Sequence, residues 1–291
     1  MPPSRAESDV MPILSLKHHR ITPAGIAALA AFVSAAILAW WDVRLVSIPL
    51  ALFVLLSVAM PFFPRFSYFA PVISRGTPGK QAVAVTFDDG PDPATTPRLL
   101  TLLARHQVSA TFFVTGKNVV RHPYLLKAIL DGGHAVGNHS YTHDHCLFFR
   151  NRRMLYNDIQ AAQKTLQQAG VTCQAFRPPV GIVPPQLPGV LEEIGLYIVN
   201  FSCRAFDGGN RRVRGLSRRI LSKVRPADIV LLHDMRPKDG VLLDYWIKEM
   251  DQLLSGLKNK GLKILPLSDL IGKPVMASAP DGRKVNTPQN S

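Results

Sequence analysis

The chain of 291 residues has room for one or two domains and a full hydrophobic core. With 47% apolar and 19% charged residues, bulk disorder is excluded, and three cysteines exclude a small disulfide-stapled scaffold. The 34 basic residues outnumber the 20 acidic ones, and the net charge of +14 points to an anionic partner: nucleic acid, a phosphate-bearing substrate or a membrane surface.

A polar tail over 1–20 leads into two uncharged stretches, 21–41 and 45–64, separated by Asp42, Val43 and Arg44. Each matches the roughly 20 apolar residues needed to cross a bilayer, so 21–64 is expected to form a transmembrane helical hairpin with Trp40 and Trp41 at one interface. The stretch is too long, and doubled, for a cleaved signal peptide. Lys17 and Arg20 precede the hairpin and Arg65, Arg75 and Lys80 follow it, whereas the turn carries no net charge. The positive-inside rule then places both ends, and the domain beyond, on the cytoplasmic face. Pro49 and Pro61 leave open a short or bent second span, and a single span would move the domain to the other side.

After a linker over 65–80 the periodicity changes. Strands are expected at 81–87, 108–114, 134–140, 174–178, 197–202, 228–234 and 262–267. Helices are expected between them at 95–106, 118–131, 151–169, 185–195, 215–224 and 242–260. This alternation over 81–270 predicts an α/β fold with parallel strands, a distorted (β/α) barrel of about seven units. Residues 271–291 read as a flexible tail.

In such folds chemistry gathers at the carboxyl ends of the strands, and here those ends carry unusual polar residues. The first ends in Thr86-Phe87-Asp88-Asp89-Gly90, which by itself reads first as a common turn and otherwise as carboxylates needing a partner. His139 and His143, four apart, project to one side if 139–143 is a helical turn, with His134 and His145 as further candidates. Together with an aspartate from another strand they make three protein ligands and leave a position open for water, the pattern of catalytic metal sites. Arg177 in Arg177-Pro178-Pro179-Val180-Gly181 is placed to hold a carboxylate. Asp207 follows the fifth strand, and His233 ends the strongly apolar sixth, where its pKa can be tuned for proton transfer.

The ordered set TFDDG, HSYTH, RPPVG, the Asp207 segment and LLH resembles the polysaccharide deacetylases, carbohydrate esterase family 4 or the NodB-homology domain, over about residues 80–270. The resemblance implies a distorted β/α barrel that removes acetyl groups from N-acetylated sugars with one divalent metal ion, often zinc. It implies Asp88 as catalytic base, Asp89, His139 and His143 as the metal triad, and Arg177 as the arginine orienting the base. It further implies Val180 as the backbone donor to the oxyanion, His233 as catalytic acid, Asp207 as its orienting carboxylate and Leu231 as the apolar residue beside the acetyl pocket. Two positions depart from the family pattern. Val180 stands where an aromatic is frequent. Arg204 and Gly208 replace an aspartate and a tryptophan, so a sugar-stacking wall is lost.

Between Gly208 and Arg225 lie seven basic residues and no acidic one. They read as a solvated helix face or as a contact for lipid headgroups or a phosphate-linked substrate. Nucleic acid is disfavoured because no recognition module accompanies the charge. The expected function is a membrane-anchored, metal-dependent hydrolase of an N-acylated amino sugar, on a lipid-linked or polymeric glycan. A catalytically silent carbohydrate-binding membrane protein and a metal-dependent phosphoesterase are the competing readings.

Overall fold

The computed structural model describes residues 21–240 and 242–278; the polar N-terminal tail with Lys17 and Arg20, and 279–291 of the expected C-terminal tail, lie outside the described residues. Helix α1 (Pro23–Trp41) opens on Thr22, whose hydroxyl accepts from Gly25 N–H at 3.2 Å. Asp42 ends it and accepts from Arg44 N–H at 2.8 Å, starting the turn into α2 (Ser47–Ala59). Pro49 falls in the first turn of α2, where its missing N–H costs no intrahelical bond, so the helix continues past it. With its flanking turns the second segment runs Val43–Phe62, 20 residues against 19 in α1. At about 1.5 Å per residue, each approaches the ~30 Å of a hydrocarbon core. Ala31 and Ala35, one turn apart, are the buried residues of α1 and admit close packing with α2. The larger apolar side chains face outward. At the open end of the pair, Ala24 N–H donates to Tyr68 C=O at 3.0 Å and Val183 N–H to Pro61 C=O at 3.1 Å.

The strands are β1 (Val72–Ile73), β2 (Ala82–Asp88), β3 (Thr111–Val114), β4 (Ala135–Asn138), β5 (Val171–Cys173), β6 (Ala175–Phe176), β7 (Tyr197–Val199), β8 (Cys203–Arg204), β9 (Ile229–His233), β10 (Lys263–Ile264) and β11 (Met276–Ser278). One curled sheet runs β1-β7-β6-β4-β3-β2-β9-β8, all parallel, with β10 added to the start of β2. No ladder joins the edges β1 and β8. Instead Arg75, just past β1, reaches Asp228 ahead of β9 through Nε at 3.0 Å and Nη2 at 2.6 Å. The result is a distorted half-barrel whose seam is bridged by an ion pair.

Helices α3 (Thr96–Arg105), α4 (Gly116–Arg121), α5 (Pro123–Asp131), α6 (Arg152–Gln168), α7 (Leu187–Ile194), α8 (Leu216–Leu221), α9 (Leu242–Asn259) and α10 (Leu267–Ile271) complete the fold. Strand β2 is buried along its whole length, as expected of a central parallel strand. Its period of two divides the core. Val83, Val85 and Phe87 join the larger apolar cluster, which also holds the inner residues of α3, α6 and α9. Ala82 and Ala84 join a smaller one with Phe113, Ala175, Val199 and Ile229. This second face is the barrel interior, and Thr86 and Asp88 continue it toward the strand ends.

Several elements differ from the sequence expectation. The helix expected over 118–131 is two, because Pro123 cannot donate and holds His122 out of the helical region at φ −135°, ψ 57°. Two-residue β1 lies in the stretch read as linker. Within the expected tail, Met276–Ser278 pairs antiparallel with β5, so chain order alone missed an edge-strand partner.

Candidate active site

In-register parallel strands bring the polar ends together. Asp88 of β2 sits opposite His233 of β9, and Thr86 opposite Leu231, which in turn neighbours Arg204 of β8. Arg177, immediately past β6, is fully buried. Its Nη1 donates to Asp88 Oδ1 at 2.6 Å and to Thr86 Oγ1 at 2.8 Å, and its Nη2 to Asn200 C=O at 3.1 Å. The guanidinium lies over the Phe113 ring at 4.0 Å. Gly137 makes room for that ring, since a Cβ there would collide with it. Burial alone depresses the Arg177 pKa, and the Asp88 charge opposes that shift.

Strand alternation would send Asp89 to the face opposite Asp88. Its backbone is left-handed instead, φ 76°, and turns the carboxylate back to the same mouth. Asp89 Oδ1 lies 2.9 Å from His143 Nε2 and 3.4 Å from His139 Nε2. Burial pushes the Asp89 carboxyl up, but the two imidazoles outweigh it and hold it well below the usual range. The histidines converge by a different route from the one expected. Residues 139–143 form no helical turn; Ser140 and His143 are left-handed at φ 67° and 56°. Asn138 Oδ1 accepts from Ser140 N–H at 2.9 Å, and Ser140 Oγ accepts from His143 N–H at 3.1 Å. These local bonds outcompete a helix in a segment of short polar side chains.

The donor set fits a divalent cation. One carboxylate oxygen and two imidazole nitrogens lie within 4.8 Å of one another. His139 Nδ1 is 2.7 Å from Arg177 C=O, an acceptor only, so Nδ1 carries the proton and Nε2 presents its lone pair to the cluster. His145 packs its ring on His143 at 4.9 Å but stands outside this set. His134 is not near it: it precedes β4 at the opposite end of the strand, accepting from Ala110 N–H at 3.2 Å.

Across the mouth, His233 Nδ1 is 2.8 Å from Asp207 Oδ2. Burial disfavours the imidazolium, but Asp207 dominates and the His233 pKa is pushed up to about 9. Asn210 went unnoticed in the sequence. Its N–H donates to Asp207 Oδ2 at 3.1 Å, its Nδ2 to His233 C=O at 3.0 Å, and its Oδ1 accepts from Trp246 Nε1 at 3.1 Å. Asp234 is a second such residue. It is fully buried, accepts from the Thr95 and Thr96 hydroxyls at 2.7 and 2.6 Å, and is pushed by burial to a pKa of about 7. A polar residue directly after an apolar strand was the available signal for Asp234; Asn210 offered none.

Asp88, Asp89, His139, His143, Asp207 and His233 open onto a cavity of about 720 Å³ that Val180 and Leu231 also line. Val180 is half exposed and left-handed at φ 54°. Such a conformation costs of order 1–3 kcal/mol and is steepest for a β-branched residue, so the loop is held in place by its surroundings. Phe206, also lining the cavity and 63% exposed, leaves an aromatic ring at the rim despite the glycine at 208. The basic stretch after Gly208 does not act as one face. Arg219 is spent on the Ala205, Arg212 and Arg214 carbonyls, Lys223 lies over Phe206, and Arg211 alone of the seven lines the cavity.

A family model described as polysaccharide deacetylase matches residues 75–199, which include Asp88, Asp89, His139, His143 and Arg177. The peptidoglycan-N-acetylglucosamine deacetylase PgdA of Listeria monocytogenes is 35% identical over 218 residues, 75% of this chain; the chain spans 44% of that relative's length. A chitooligosaccharide deacetylase of Bradyrhizobium sp. is 31% identical over 66% of this chain and 91% of its own length. The crystal structure of the Bc1960 peptidoglycan N-acetylglucosamine deacetylase superposes with a TM-score of 0.64 at 30% identity, covering 70% of this chain and 94% of that one.

Proposed function

The chain belongs to the polysaccharide deacetylase family, and from that premise we propose that it is a membrane-anchored, metal-dependent amidohydrolase that removes an N-acetyl or similar N-acyl group from an amino sugar. The observation that carries this reading is the meeting of two separate proton-handling pairs, Arg177–Asp88 and Asp207–His233, on either side of the Asp89–His139–His143 cluster. A silent binding protein has no use for both pairs, and a phosphoesterase would more naturally hold a second metal.

Asp89, His139 and His143 would hold a divalent cation, and two imidazoles with a carboxylate and an open position are a common catalytic zinc set. When bound, it supplies Lewis acidity, polarising the amide carbonyl and lowering the pKa of water. Asp88 accepts the proton of the attacking water. Arg177 occupies Oδ1, which leaves Oδ2, 3.8 Å from His139 Nε2, for that task. The Val180 N–H stabilises the oxygen on which negative charge develops. His233 enters as imidazolium, which its raised pKa maintains at neutral pH, and gives its proton to the leaving amine. Leu231 walls the acyl group. His139→Ala should lose most of its bound zinc on metal analysis of the dialysed protein and lose turnover with it. Wild-type zinc stoichiometry in that variant would remove the ligand assignment.

The paired apolar helices serve as the anchor. The loop that follows Val180 is hydrogen-bonded to the end of the second span through Val183 and Pro61, which keeps the mouth near the bilayer and suits a lipid-borne sugar. The basic flanks of the hairpin favour a cytoplasmic domain. Cys146, Cys173 and Cys203 are all free thiols, consistent with a reducing compartment. Fused at the C-terminus, a reporter active only inside cells should give signal, and one active only outside should not. The reverse result would overturn the sidedness and shift the substrate toward wall polymer.

A further inference from the structure

The cavity floor and the cavity rim differ in charge. Three carboxylates line the cavity, and each is already paired: Asp88 with the buried Arg177, Asp89 with His139 and His143, and Asp207 with His233. Six cations line it as well: Lys117, Arg121, Arg204, Arg211, Arg236 and Lys238. A neutral oligosaccharide gains nothing from such a rim, and holding the charges together costs self-repulsion.

Arg204 is the most constrained of these cations. It sits on β8 beside Leu231, one strand from His233. Its guanidinium lies over the Phe206 ring at 4.2 Å and within 5.4 Å of the Phe201 ring. Stacking uses the flat faces of a guanidinium and leaves its in-plane N–H donors for an anion, in the fork that matches a phosphate. Arg211 lies on the loop just after Asp207, whose carbonyl accepts its backbone N–H at 3.0 Å.

We propose that Arg204, assisted by Arg211, forms a phosphate subsite, and that the natural substrate is an N-acyl amino sugar bearing a phosphoryl group. The inference rests on the amidohydrolase reading and names its substrate class. The phosphoryl group can come from a polyprenyl-linked sugar in the membrane or from a soluble nucleoside-diphosphate sugar. Arg204 acts here as a specificity-determining residue; it need not touch the reacting amide.

The test uses the full chain in detergent with metal loaded. Glucose 1-phosphate and methyl glucoside are titrated first, since neither carries an amide to hydrolyse. Wild type should bind the phosphate ester, Arg204→Ala should weaken that binding about 10–100-fold, and Arg204→Lys should fall between. Equal affinity in wild type and Arg204→Ala would put the anion on the cation cluster instead and overturn the inference. Turnover is then compared on a polyprenyl-phosphate-linked N-acetylglucosamine, a nucleoside-diphosphate N-acetylglucosamine and neutral chitotetraose. The kcat/KM ratio of phosphorylated to neutral substrate should exceed one in wild type and fall about 10–100-fold in Arg204→Ala. Damage to the fold lowers both rates and leaves the ratio alone; Arg211→Ala repeats the reading if Arg204→Ala is unstable. Whichever phosphorylated substrate is preferred identifies the source, and a preference for chitotetraose overturns the proposal. If no amide is cleaved while the titration still depends on Arg204, the amidohydrolase reading fails and the phosphate subsite stands.

Discussion

Asp88→Asn and His233→Ala should each lower kcat/KM on an N-acetylated amino sugar by about 10²–10⁴-fold, the usual worth of a positioned general base or acid. Both variants should stay folded. Asparagine is isosteric with aspartate, and its side-chain carbonyl can still accept from Arg177 Nη1. His233 points its ring at the mouth and packs in neither apolar cluster, and Asp207 keeps the Asn210 N–H when the imidazole is gone. Circular dichroism would register the fold and steady-state kinetics the loss; activity within tenfold of wild type in either variant would remove that residue from the reaction. The pH profile separates the acid from a bystander. Asp207 raises the His233 pKa from 6.5 to about 9, so the proton is present below that range and lost as pH rises through it. Asp207→Asn removes the raising charge and leaves the burial, which favours neutral imidazole. The alkaline limb of kcat/KM should therefore move to lower pH, and an unmoved limb would mean that another group sets it.

Most of this site was legible because polar residues stood where an apolar strand ended. Asp88, Arg177 and His233 interrupt runs whose period fixes the inner face, and parallel register then brings them together without further information. The two histidines were legible as a pair but not as a shape. Four-residue spacing suggested a helix, whereas Asn138 and Ser140 side chains fold the segment into left-handed turns. Two-residue strands such as β1 and β8 have too few residues for any periodicity, and β11 exists only because β5 offers it an edge.

Tertiary partners decided what the rest of the sequence left open. The seven basic residues after Gly208 looked alike in one dimension. In three, Arg219 became a clip for three carbonyls while Arg211 turned to the cavity. Glu249 of α9 accepts from the Gly215 and Ser217 N–H groups and so fixes the start of α8. The Pro123 break, by contrast, was available from chain chemistry alone, since the residue before a proline avoids the helical region.

Arg177→Met should be the most damaging single change to stability, by about 3–5 kcal/mol, because it leaves the largely buried Asp88 carboxylate without its guanidinium partner. Asp88 is 4% exposed, and Arg177 supplies its close charged partner. The same substitution strips a donor from the Thr86 hydroxyl and from the Asn200 carbonyl, both buried. For a domain of this size each kcal/mol moves Tm by about 2–4 °C, so the midpoint should drop by roughly 6–20 °C. The double variant Asp88→Asn/Arg177→Met tests the cause. It removes both charges and leaves a neutral amide beside an apolar side chain of similar reach. If an unpaired buried charge dominates the loss, the double variant should recover much of the stability while remaining inactive. Arg177→Lys should be intermediate: it keeps the charge but cannot stack on Phe113 or serve three acceptors in one plane. Thermal unfolding of wild type, Asp88→Asn, Arg177→Met and the double variant gives the coupling directly. A double variant no more stable than Arg177→Met would shift the explanation to the abandoned oxygens of Thr86 and Asn200. A single variant within about 2 °C of wild type would mean, on the same scale, that the guanidinium holds neither.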